Sequence, residues 1–409
     1  MDAHHPGTVP AAAAADDMDD SDDTVILRRL ADSLVAGARD GAPEGASAAV
    51  AAIRRPGRPD AIAAAGTTLL PDLRDLPGIA VAGDRAPLPV DTGTLFDLAS
   101  VTKVVTTLTA LTLAGDGLFD LDAPVREVLG DPVPHPAITP RHLLTHTAGL
   151  PSTLPLHRVP GGPAARRDAV RRAQLVTAPG TAHAYSCTGF ILLGLLLEHL
   201  GGAPLPELAR TRVLDPARMH RTAWHLSPAD RERAAATEVQ TDPPRGLVQG
   251  EVHDEAAWGL MRRGDGAAPD PTAGSGNAGL FAPVADVLAL GTLLSGASPT
   301  GTVRADGAPG PAIPAALRRE LATDQLMPLG ITTGEPWRQG LGTRIGQDLP
   351  TAAAGARVIG HSGFTGTTVL ADLRDGTVAV LLTNRVHPHR DRFSVMAARR
   401  ALAARAFPA

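Results

Sequence analysis

Segments with strand character lie at both ends of this 409-residue chain, and a long stretch with helical patterns separates them. The segments are short and lie beside turn-forming sequences such as Arg374-Asp375-Gly376, which predicts a hairpin. Strands so far apart in sequence can share one sheet only if the end of the chain folds back onto its beginning. We therefore predict an α/β (α+β) fold, with an antiparallel sheet built from both termini and flanking helices. The predicted strands are residues 46–54, 60–68, 357–359, 367–372 and 377–382.

Helical periodicity is clear over residues 24–39, in the run that starts at Ser100, and over residues 392–405. Residues 190–200 are apolar on every side, which predicts a helix that is buried all round. The alanine tract and acidic residues before the first helix have the composition of a disordered tail. We accordingly predict a disordered tail, an α/β domain formed by two separate segments, and a mostly helical insert domain. These parts cover residues 1–23, residues 24–117 with 335–409, and residues 118–334, respectively.

The bulk composition argues against several classes of protein. A net charge of −5 gives no reason to expect a nucleic-acid partner, and the single cysteine, Cys187, excludes an internal disulfide. No apolar run reaches about 18 residues, so we predict neither a transmembrane helix nor a membrane partner. The N-terminus lacks the basic-then-apolar pattern of a signal peptide, which favours a cytoplasmic protein. The sequence leaves the oligomeric state open.

Lys103 is the only lysine among 38 basic residues, and Tyr185 is the only tyrosine. Arginine can replace lysine as a surface charge, but it cannot supply a neutral amine because its pKa stays above ~12. A position that keeps lysine therefore favours a role in proton transfer. Lys103 follows Ser100 by three residues, the S-x-x-K spacing of a serine nucleophile and a lysine base whose pKa is lowered by burial or by nearby positive charge. The alternative is a helix start with an N-cap serine and an exposed lysine.

Further motifs surround this pair. They are Phe96-Asp97-Leu98-Ala99-Ser100-Val101-Thr102-Lys103, residues 117–125, residues 138–151, Tyr185-Ser186-Cys187, and His361-Ser362-Gly363-Phe364-Thr365-Gly366. In this order they closely resemble the class C β-lactamases and penicillin-binding-protein-like serine hydrolases, including the esterase branch called family VIII. The resemblance covers roughly residues 45–405. It implies a β-lactamase/transpeptidase-like fold, in which an α/β domain carries a helical insert, and an acyl-enzyme mechanism on Ser100.

The resemblance also implies roles for residues outside the Ser100 segment. Tyr185 falls at the tyrosine of the family's Y-x-N motif, where it would share the serine proton with Lys103. A nearby ammonium would favour the phenolate and make it a usable base. The N–H of Phe364 would donate to the substrate oxyanion, beside the N–H of Ser100.

Two positions depart from the family pattern. Cys187 takes the place of an asparagine, and its thiol is a weak hydrogen-bond donor, so we expect it to line the pocket, with a catalytic thiol as the alternative. His361 takes the place of the lysine in the Lys-Thr-Gly motif of β-lactamases, and histidine is largely neutral at pH 7. The sequence His361-Ser362-Gly363 therefore implies weak β-lactamase activity at best and favours neutral acyl substrates. Gly363 would let a substrate approach an edge strand closely.

These observations predict a serine hydrolase with an acyl-enzyme on Ser100, most simply an esterase for small neutral acyl substrates. The chemistry requires no metal and no cofactor, and the expected partner is a small ester, amide or acyl compound. One alternative is an acyltransferase or peptide cyclase of a natural-product pathway, and another is a D-amino-acid-specific peptidase or amidase. An alternative from another class is a non-catalytic binding module that retains the fold.

Overall fold

The computed structural model of the protein describes residues 22–39, 45–71, 73, 86–264, 268–296, 313–349, 357–391 and 393–408. The strands are β1 Ala48–Arg54, β2 Ala61–Gly66, β3 Phe96–Asp97, β4 Ala236–Gln240, β5 Gly246–Gln249, β6 Phe281–Ala282, β7 Arg338–Gln339, β8 Arg344–Ile345, β9 Val358–Ser362, β10 Thr368–Asp372 and β11 Val378–Thr383. The α-helices are α1 Asp23–Arg39, α2 Thr102–Gly115, α3 Val125–Leu129, α4 Pro140–Leu144, α5 Gly162–Arg171, α6 Cys187–Gly201, α7 Leu205–Ala209, α8 Pro228–Arg233, α9 Glu255–Leu260, α10 Val284–Ser295, α11 Ala315–Glu320 and α12 Met396–Ala406.

Seven of these strands form one antiparallel sheet, in the order β2-β1-β11-β10-β9-β8-β7. Strand β1, from the start of the chain, lies between its neighbour β2 and strand β11, from the end of the chain, with Val50 opposite Leu382. The two ends of the sequence therefore depend on each other for their backbone hydrogen bonds. The prediction of an antiparallel sheet assembled from both termini is confirmed.

The sheet is covered on both faces, because side chains of a strand point alternately to the two sides. In β1, Ala49, Ala51 and Ile53 pack into a cluster with residues of α1 and α12. Val50 and Ala52 point the other way, into a larger core that includes residues of α2, α6 and α10. The small alanines of β1 and β2 let α1 lie close to the sheet. The result is three layers, with helices on each side of the sheet.

Helix α6 is the central element of the helical part. Its residues from Thr188 to Leu197 are all buried, as the apolar sequence predicts, and it packs against α2, α4 and α5. The side-chain oxygen of Ser186 caps its first turn, and Gly202, with a φ of 66°, ends it in the left-handed conformation that glycine adopts easily. The helix thus holds its N-terminus, which follows Tyr185, in a fixed position.

Some elements differ from the sequence prediction in place or in bounds. Helix α10 lies within residues 118–334, the predicted insert, but packs against β10 and β11 of the sheet. Strands β4 and β5 form a separate hairpin within the same stretch. Residues 1–21 of the predicted tail lie outside the described residues, whereas Asp23 is the first residue of α1. The division into domains stays a prediction.

Within the described part of the chain, no single helix has the length and apolar character needed to cross a membrane. One bent pair of helical segments, Cys187–Gly201 with Leu205–Leu214, passes the same test of length and composition.

Candidate active site

Ser100 lies in the 3-10 turn Ala99–Val101, which leads directly into α2. Ala99 has a φ of 45°, in the left-handed region, where a non-glycine residue is strained by about 1 kcal/mol or more. The conformation is held because the Ala99 N–H donates to one oxygen of buried Asp97 at 2.8 Å. The other oxygen of Asp97 accepts from the N–H of His253, also at 2.8 Å. A buried carboxylate therefore fixes the backbone just before the serine.

Lys103 lies one turn further along, and its side chain is fully buried. Its ammonium donates to Ser100 Oγ at 3.1 Å, to the Asn277 carbonyl at 2.9 Å and to Cys187 Sγ at 3.5 Å. Burial acts to lower the pKa of Lys103, but the negative charges available to Cys187 and Tyr185 outweigh it and raise that pKa above its ordinary value. This direction is opposite to the lowered lysine pKa that the sequence suggests, and it favours the ammonium form of Lys103.

Tyr185 directly precedes the N-cap of α6, and its position follows from the contacts of Ser186. The Ser186 hydroxyl accepts from the N–H of Gly189 at 3.0 Å, and the Ser186 N–H donates to His146 Nδ1 at 3.1 Å. Burial and nearby positive charges lower the pKa of His146 well below its usual value, so its ring is a neutral acceptor. That ring packs 4.4 Å from the Tyr185 ring, and Lys103 Nζ lies 5.0 Å from the same ring. The Tyr185 hydroxyl is buried without a hydrogen-bond partner among the described residues.

Cys187 is the first residue of α6 and is half-buried. Its N–H donates to the Ser152 carbonyl at 2.7 Å, and its sulfur lies beside the Lys103 ammonium. The lysine contacts both Cys187 and Ser100, so the thiol is a neighbour of the serine within one site. Cys187 is not among the residues that line the two cavities at this site, so the expectation that it lines the pocket stays a prediction.

His361 lies on β9, buried against the same group of residues, with its ring 6.1 Å from that of Tyr185. Its Nδ1–H donates to the Ser362 carbonyl at 2.9 Å. Burial, together with the positive charges of Arg344 and Lys103, lowers the pKa of His361 well below its usual value. The histidine is therefore neutral, in agreement with the expectation that it does not act as a fixed cation.

Gly363 begins the turn between β9 and β10, which we call the β9–β10 turn (residues 363–367). A side chain at Gly363 would place its Cβ 2.2 Å from Thr367 Oγ1 and 2.4 Å from the Leu98 carbonyl. The glycine therefore makes room for the serine segment, whereas the sequence had suggested room for a substrate. Two hydroxyls also join these segments: Thr365 donates to the Asp97 carbonyl at 2.7 Å, and Thr367 donates to the Leu98 carbonyl at 2.9 Å.

Two arginines hold the β9–β10 turn from its other side. Buried Arg399 donates from Nη2 to the carbonyls of Gly363 and Thr367, at 2.7 and 2.9 Å. Arg385 donates from Nε to the Phe364 carbonyl at 2.8 Å. No backbone carbonyl of a described residue accepts from the Phe364 N–H, and the Phe364 side chain is 46% exposed. The turn thus presents a free N–H on a backbone that is held at both ends.

Arg344, from β8, adds a positive charge that the sequence analysis missed. It donates from Nη1 to Ser362 Oγ at 3.1 Å, and its guanidinium lies 5.1 Å from the Tyr185 ring and 4.6 Å from the Trp337 ring. Gln347 donates to the same Ser362 oxygen at 2.7 Å. No carboxylate among the described residues forms an ion pair with Arg344, and its Nε is buried without a partner. The guanidinium is therefore available to an anionic ligand.

Two cavities lie at the site. A cleft of about 630 Å³ is lined by Ser100, Tyr185 and Phe364, and a second cavity of about 1040 Å³ lies beyond Tyr185. Both cavities share Tyr185, Arg344 and Ser362 in their walls. In the described part of the chain, no group of three or more His, Cys, Asp and Glu side chains could hold a metal ion.

The sequence predicts that one site contains Ser100, Lys103, Tyr185, Cys187 and the His361 segment. The structure places these residues close together. Three further residues contribute to the site, and the sequence holds a signal for two of them. His146 lies in the segment 138–151 that carries the resemblance, and Asn277 lies in a serine-glycine-asparagine sequence. Arg344 has no such signal.

The family model for beta-lactamase matches residues 29–404. A protein of Escherichia coli (strain K12), provisionally named a D-alanyl-D-alanine carboxypeptidase, is 27% identical over 330 residues, which are 74% of this chain and 71% of that protein. D-amino acid amidase from Ochrobactrum anthropi SV3, solved with L-phenylalanine amide, has a TM-score of 0.63 and 20% identity, covering 93% of this chain and 97% of that chain. EstCE1, described as a hydrolase with promiscuous acyltransferase activity, has a TM-score of 0.62 and 20% identity, covering 92% and 98%.

Proposed function

This chain belongs to the beta-lactamase family, whose relatives are serine hydrolases, and we propose that it cleaves carboxylic esters through an acyl-enzyme on Ser100. The observation that carries the proposal is the 3.1 Å contact between Ser100 Oγ and the ammonium of fully buried Lys103. A buried ammonium is costly unless it is paired, yet its contacts are a hydroxyl, a thiol and a carbonyl. A perturbed charge in a cleft beside a nucleophile is typical of a catalytic site.

Proton transfer in this proposal is assigned mainly to Tyr185. An ammonium at Lys103 has no free electron pair, so it cannot accept the serine proton while it stays charged. The Tyr185 hydroxyl has no other partner among the described residues, and Lys103 Nζ lies 5.0 Å from the centre of its ring. Tyr185 then takes the proton from Ser100 as the serine attacks the carbonyl, and returns it to the leaving group. Water repeats the sequence to release the acid.

The developing oxyanion would lie between the N–H groups of Ser100 and Phe364. The Phe364 N–H is free of backbone partners, and the hydroxyls of Thr365 and Thr367 join its turn to the serine segment. Donors held in place before the reaction need no rearrangement when charge develops on the carbonyl oxygen. This supports an acyl-transfer reaction of the kind proposed.

Arg344 favours a second candidate, the cleavage or formation of amides of amino acids. The Ser362 oxygen accepts from both Arg344 and Gln347, so the hydroxyl proton of Ser362 is left to donate to a ligand. A carboxylate would accept from this hydroxyl and from the guanidinium together. We therefore extend the proposed substrates from neutral acyl compounds to compounds that carry a carboxylate next to the scissile bond.

The names of similar proteins support both candidates. A carboxypeptidase and a D-amino acid amidase act on amides, and EstCE1 is described as a hydrolase with promiscuous acyltransferase activity. Carboxypeptidase cleavage leaves a carboxylate on the departing amino acid, which is the group that Arg344 and Ser362 would hold. The esterase proposal stays first, because it requires only the Ser100 machinery.

The intact mass of the protein, taken within seconds of mixing with p-nitrophenyl acetate, tests the first candidate. We expect a transient gain of one acetyl group in the natural protein and no gain in Ser100→Ala. Release of nitrophenol at equal rates from both proteins would show that Ser100 is not the nucleophile.

A matched pair of esters tests the second candidate. Phenyl acetate and 3-carboxyphenyl acetate differ only by a carboxylate on the leaving group. We expect kcat/KM to be about tenfold higher for the carboxylate, as one charge-assisted hydrogen bond provides, and Arg344→Gln should remove the difference. Equal kcat/KM values in the natural protein would leave the esterase and eliminate the carboxylate site.

A further inference from the structure

We infer that the cavity beyond Tyr185 is a side-chain subsite for an amino acid that carries an amine at the end of its side chain. The inference rests on the proposed function, since it concerns the group that leaves the acyl carbonyl or attacks the acyl-enzyme. The cavity measures about 1040 Å³, against about 630 Å³ for the cleft at Ser100, so it holds much more than a reacting carbonyl.

The position of Tyr185 assigns the cavity to the leaving-group side. Tyr185 lines both cavities, and the residue that protonates a leaving group must touch it. Arg344 and Ser362 also line both, so a carboxylate bound to them lies where the two cavities meet. An amino acid with its nitrogen at Tyr185 and its carboxylate at Arg344 would extend its side chain into the larger cavity.

The chemistry of that cavity is set by two oxygen atoms that have no partner. Gln347 is 5% exposed, and its amide N–H donates to Ser362 Oγ. Its Oε1 is buried without a hydrogen bond. Asp348 Oδ2 is buried without a hydrogen bond in the same cavity. Native proteins rarely leave buried polar atoms unpaired, and both atoms are hydrogen-bond acceptors. A ligand group with several N–H donors can therefore bind both oxygen atoms.

The backbone and charge of Asp348 agree with this reading. Its φ of 64° lies in the left-handed region, so the residue is strained as well as unpaired, a combination found at ligand sites. Burial raises the pKa of Asp348, although the charges of Arg399, Arg344 and Arg400 act against it. No ion pair among the described residues includes Asp348. A ligand ammonium would add a hydrogen-bond donor for Asp348 Oδ2.

Trp337 gives the cavity an apolar wall. One face of its ring carries the Arg344 guanidinium, at 4.6 Å from the ring centre. A methylene chain can pack along such a wall while its charged end reaches polar atoms further in. A lysine-like amino acid fits these three parts of the cavity. Its carboxylate would lie at Arg344, its methylene groups at Trp337, and its terminal ammonium at Gln347 and Asp348.

The corresponding reaction is aminolysis of the acyl-enzyme. The α-amine of the amino acid attacks the acyl carbonyl, a carbon–nitrogen bond forms, and the ester bond to Ser100 Oγ breaks. The amine loses one proton through Tyr185 to Ser100 Oγ, so the products are an amide and the free serine. No oxidant, metal or further reactant is needed.

Competition between lysine and norleucine as acyl acceptors tests the subsite, because the two differ in the terminal ammonium. The acyl-enzyme is formed from p-nitrophenyl acetate, each amino acid is added at equal concentration in both enantiomers, and mass spectrometry separates the Nα-acetyl products from acetate. We expect about tenfold more capture by lysine than by norleucine. Gln347→Leu should abolish the preference, and Asp348→Asn should reduce it. Glu232→Gln, which removes an exposed carboxylate that lines neither cavity, should retain it.

The outcomes distinguish failure of the subsite from failure of the proposed function. Equal capture of lysine and norleucine, or capture of neither while the acetyl-enzyme forms normally, would overturn the subsite and leave the esterase intact. Failure to form the acetyl-enzyme would overturn the proposed function itself. If Gln347→Leu does not fold, the comparison of the two amino acids on the natural protein still gives the answer.

Discussion

At the residue scale, the charge of Lys103 decides which group can act as a base. Its pKa is raised because the negative charges available to Cys187 and Tyr185 outweigh the effect of burial. Lysine is nevertheless the residue that fits, since a compact ammonium has three donors and finds three acceptors here, on Ser100, Cys187 and Asn277. The planar guanidinium of arginine has another geometry. The single lysine of the chain is thus explained by shape and charge together, without the neutral amine that its rarity suggests.

Replacement of Cys187 by asparagine should lower the pKa of Lys103. Cys187 contributes most to raising that pKa, and asparagine, which cannot ionise, removes this contribution. Charged lysine is the active form in the proposed mechanism, so activity should be lost at a lower pH than in the natural protein. The alkaline limb of the pH profile of kcat/KM for p-nitrophenyl acetate measures this shift. Cys187→Ser should move the alkaline limb in the same direction. If the limb does not move in either variant, the loss of activity at high pH is not caused by deprotonation of Lys103.

Predictability at this scale depends on whether a contact is local. Ser100 and Lys103 are three residues apart, so the start of a helix alone brings them together. The chain has 38 basic residues, and all but the single lysine are arginine, which leaves 37 arginines. Nothing in the sequence around Arg344 distinguishes it from the others. Its place beside Ser362 arises from the pairing of β8 with β9, which joins residues that only the folded sheet makes neighbours.

At the scale of elements, the β9–β10 turn and the serine segment behave as one unit. Two threonine hydroxyls bind the carbonyls of Asp97 and Leu98, and Gly363 lets the two backbones approach within the reach of these bonds. The oxyanion donors come from these two segments, far apart in sequence, and their separation is fixed by such bonds. Arg399 holds the turn from the side opposite to the serine.

Arg399→Met should lower kcat with little change in KM. The variant leaves the carbonyls of Gly363 and Thr367 without their buried donor, so the Phe364 N–H loses its fixed position. Burial lowers the pKa of Arg399 to about 10, and the side chain keeps its charge at neutral pH. We expect kcat to fall about 10- to 100-fold, less than complete removal of an oxyanion donor. Steady-state kinetics with p-nitrophenyl acetate measures this.

Two further variants distinguish positioning from simple damage to the fold. Arg400→Met, on an exposed neighbour in α12, should change kcat less than about twofold, as surface substitutions do. Arg399→Lys keeps one charged donor and should recover part of kcat. A proportional rise in KM for Arg399→Met, or a loss of kcat explained wholly by unfolded protein, would argue against a positioning role.

Element length explains which parts of the fold the sequence could predict. Strands β1, β10 and β11 have five to seven residues and a clear aliphatic pattern, so the sheet and its origin from both termini were predictable. Strands β7 and β8 have two residues each, too few for any periodicity, and the sheet edge that carries Arg344 was missed. Helix α10 was assigned to the insert by its position in the chain, and only packing reveals its contact with the sheet.

At the scale of the whole molecule, the candidate site depends on the closure of the chain. Ser100 begins α2, Tyr185 precedes α6 and His361 lies on β9, so the site lies where the helical part meets the sheet. The sheet itself is complete only when β11 pairs with β1. Contacts that join the two ends of the chain therefore support the site from a distance.

Asp23 is one such contact, because it binds arginines from two distant segments. Its carboxylate accepts from Arg55 at 2.9 Å and from Arg405 at 2.7 Å, which ties α1 to the residue that follows β1 and to α12. Burial opposes ionisation, but the two arginines outweigh it and lower the pKa of Asp23 below its ordinary value. The carboxylate then stabilises the fold above the pKa it has in the unfolded chain, about 4, and this contribution is lost as pH falls through the lower pKa of the folded state.

Asp23→Asn should therefore destabilise the protein by roughly 1 kcal/mol near neutral pH, the range of a partly exposed ion pair with two partners. The difference should shrink as the medium is acidified below the unfolded-state pKa, because the natural aspartate then becomes neutral as well. Urea unfolding of both proteins near pH 7 and near pH 3 measures it, with Asp32→Asn on the exposed face of the same helix as the matched control. An equal loss of stability at both pH values would mean that Asp23 acts through hydrogen bonds that asparagine cannot replace. A loss of stability confined to neutral pH would show that Asp23 stabilises the fold through its ion pairs with Arg55 and Arg405.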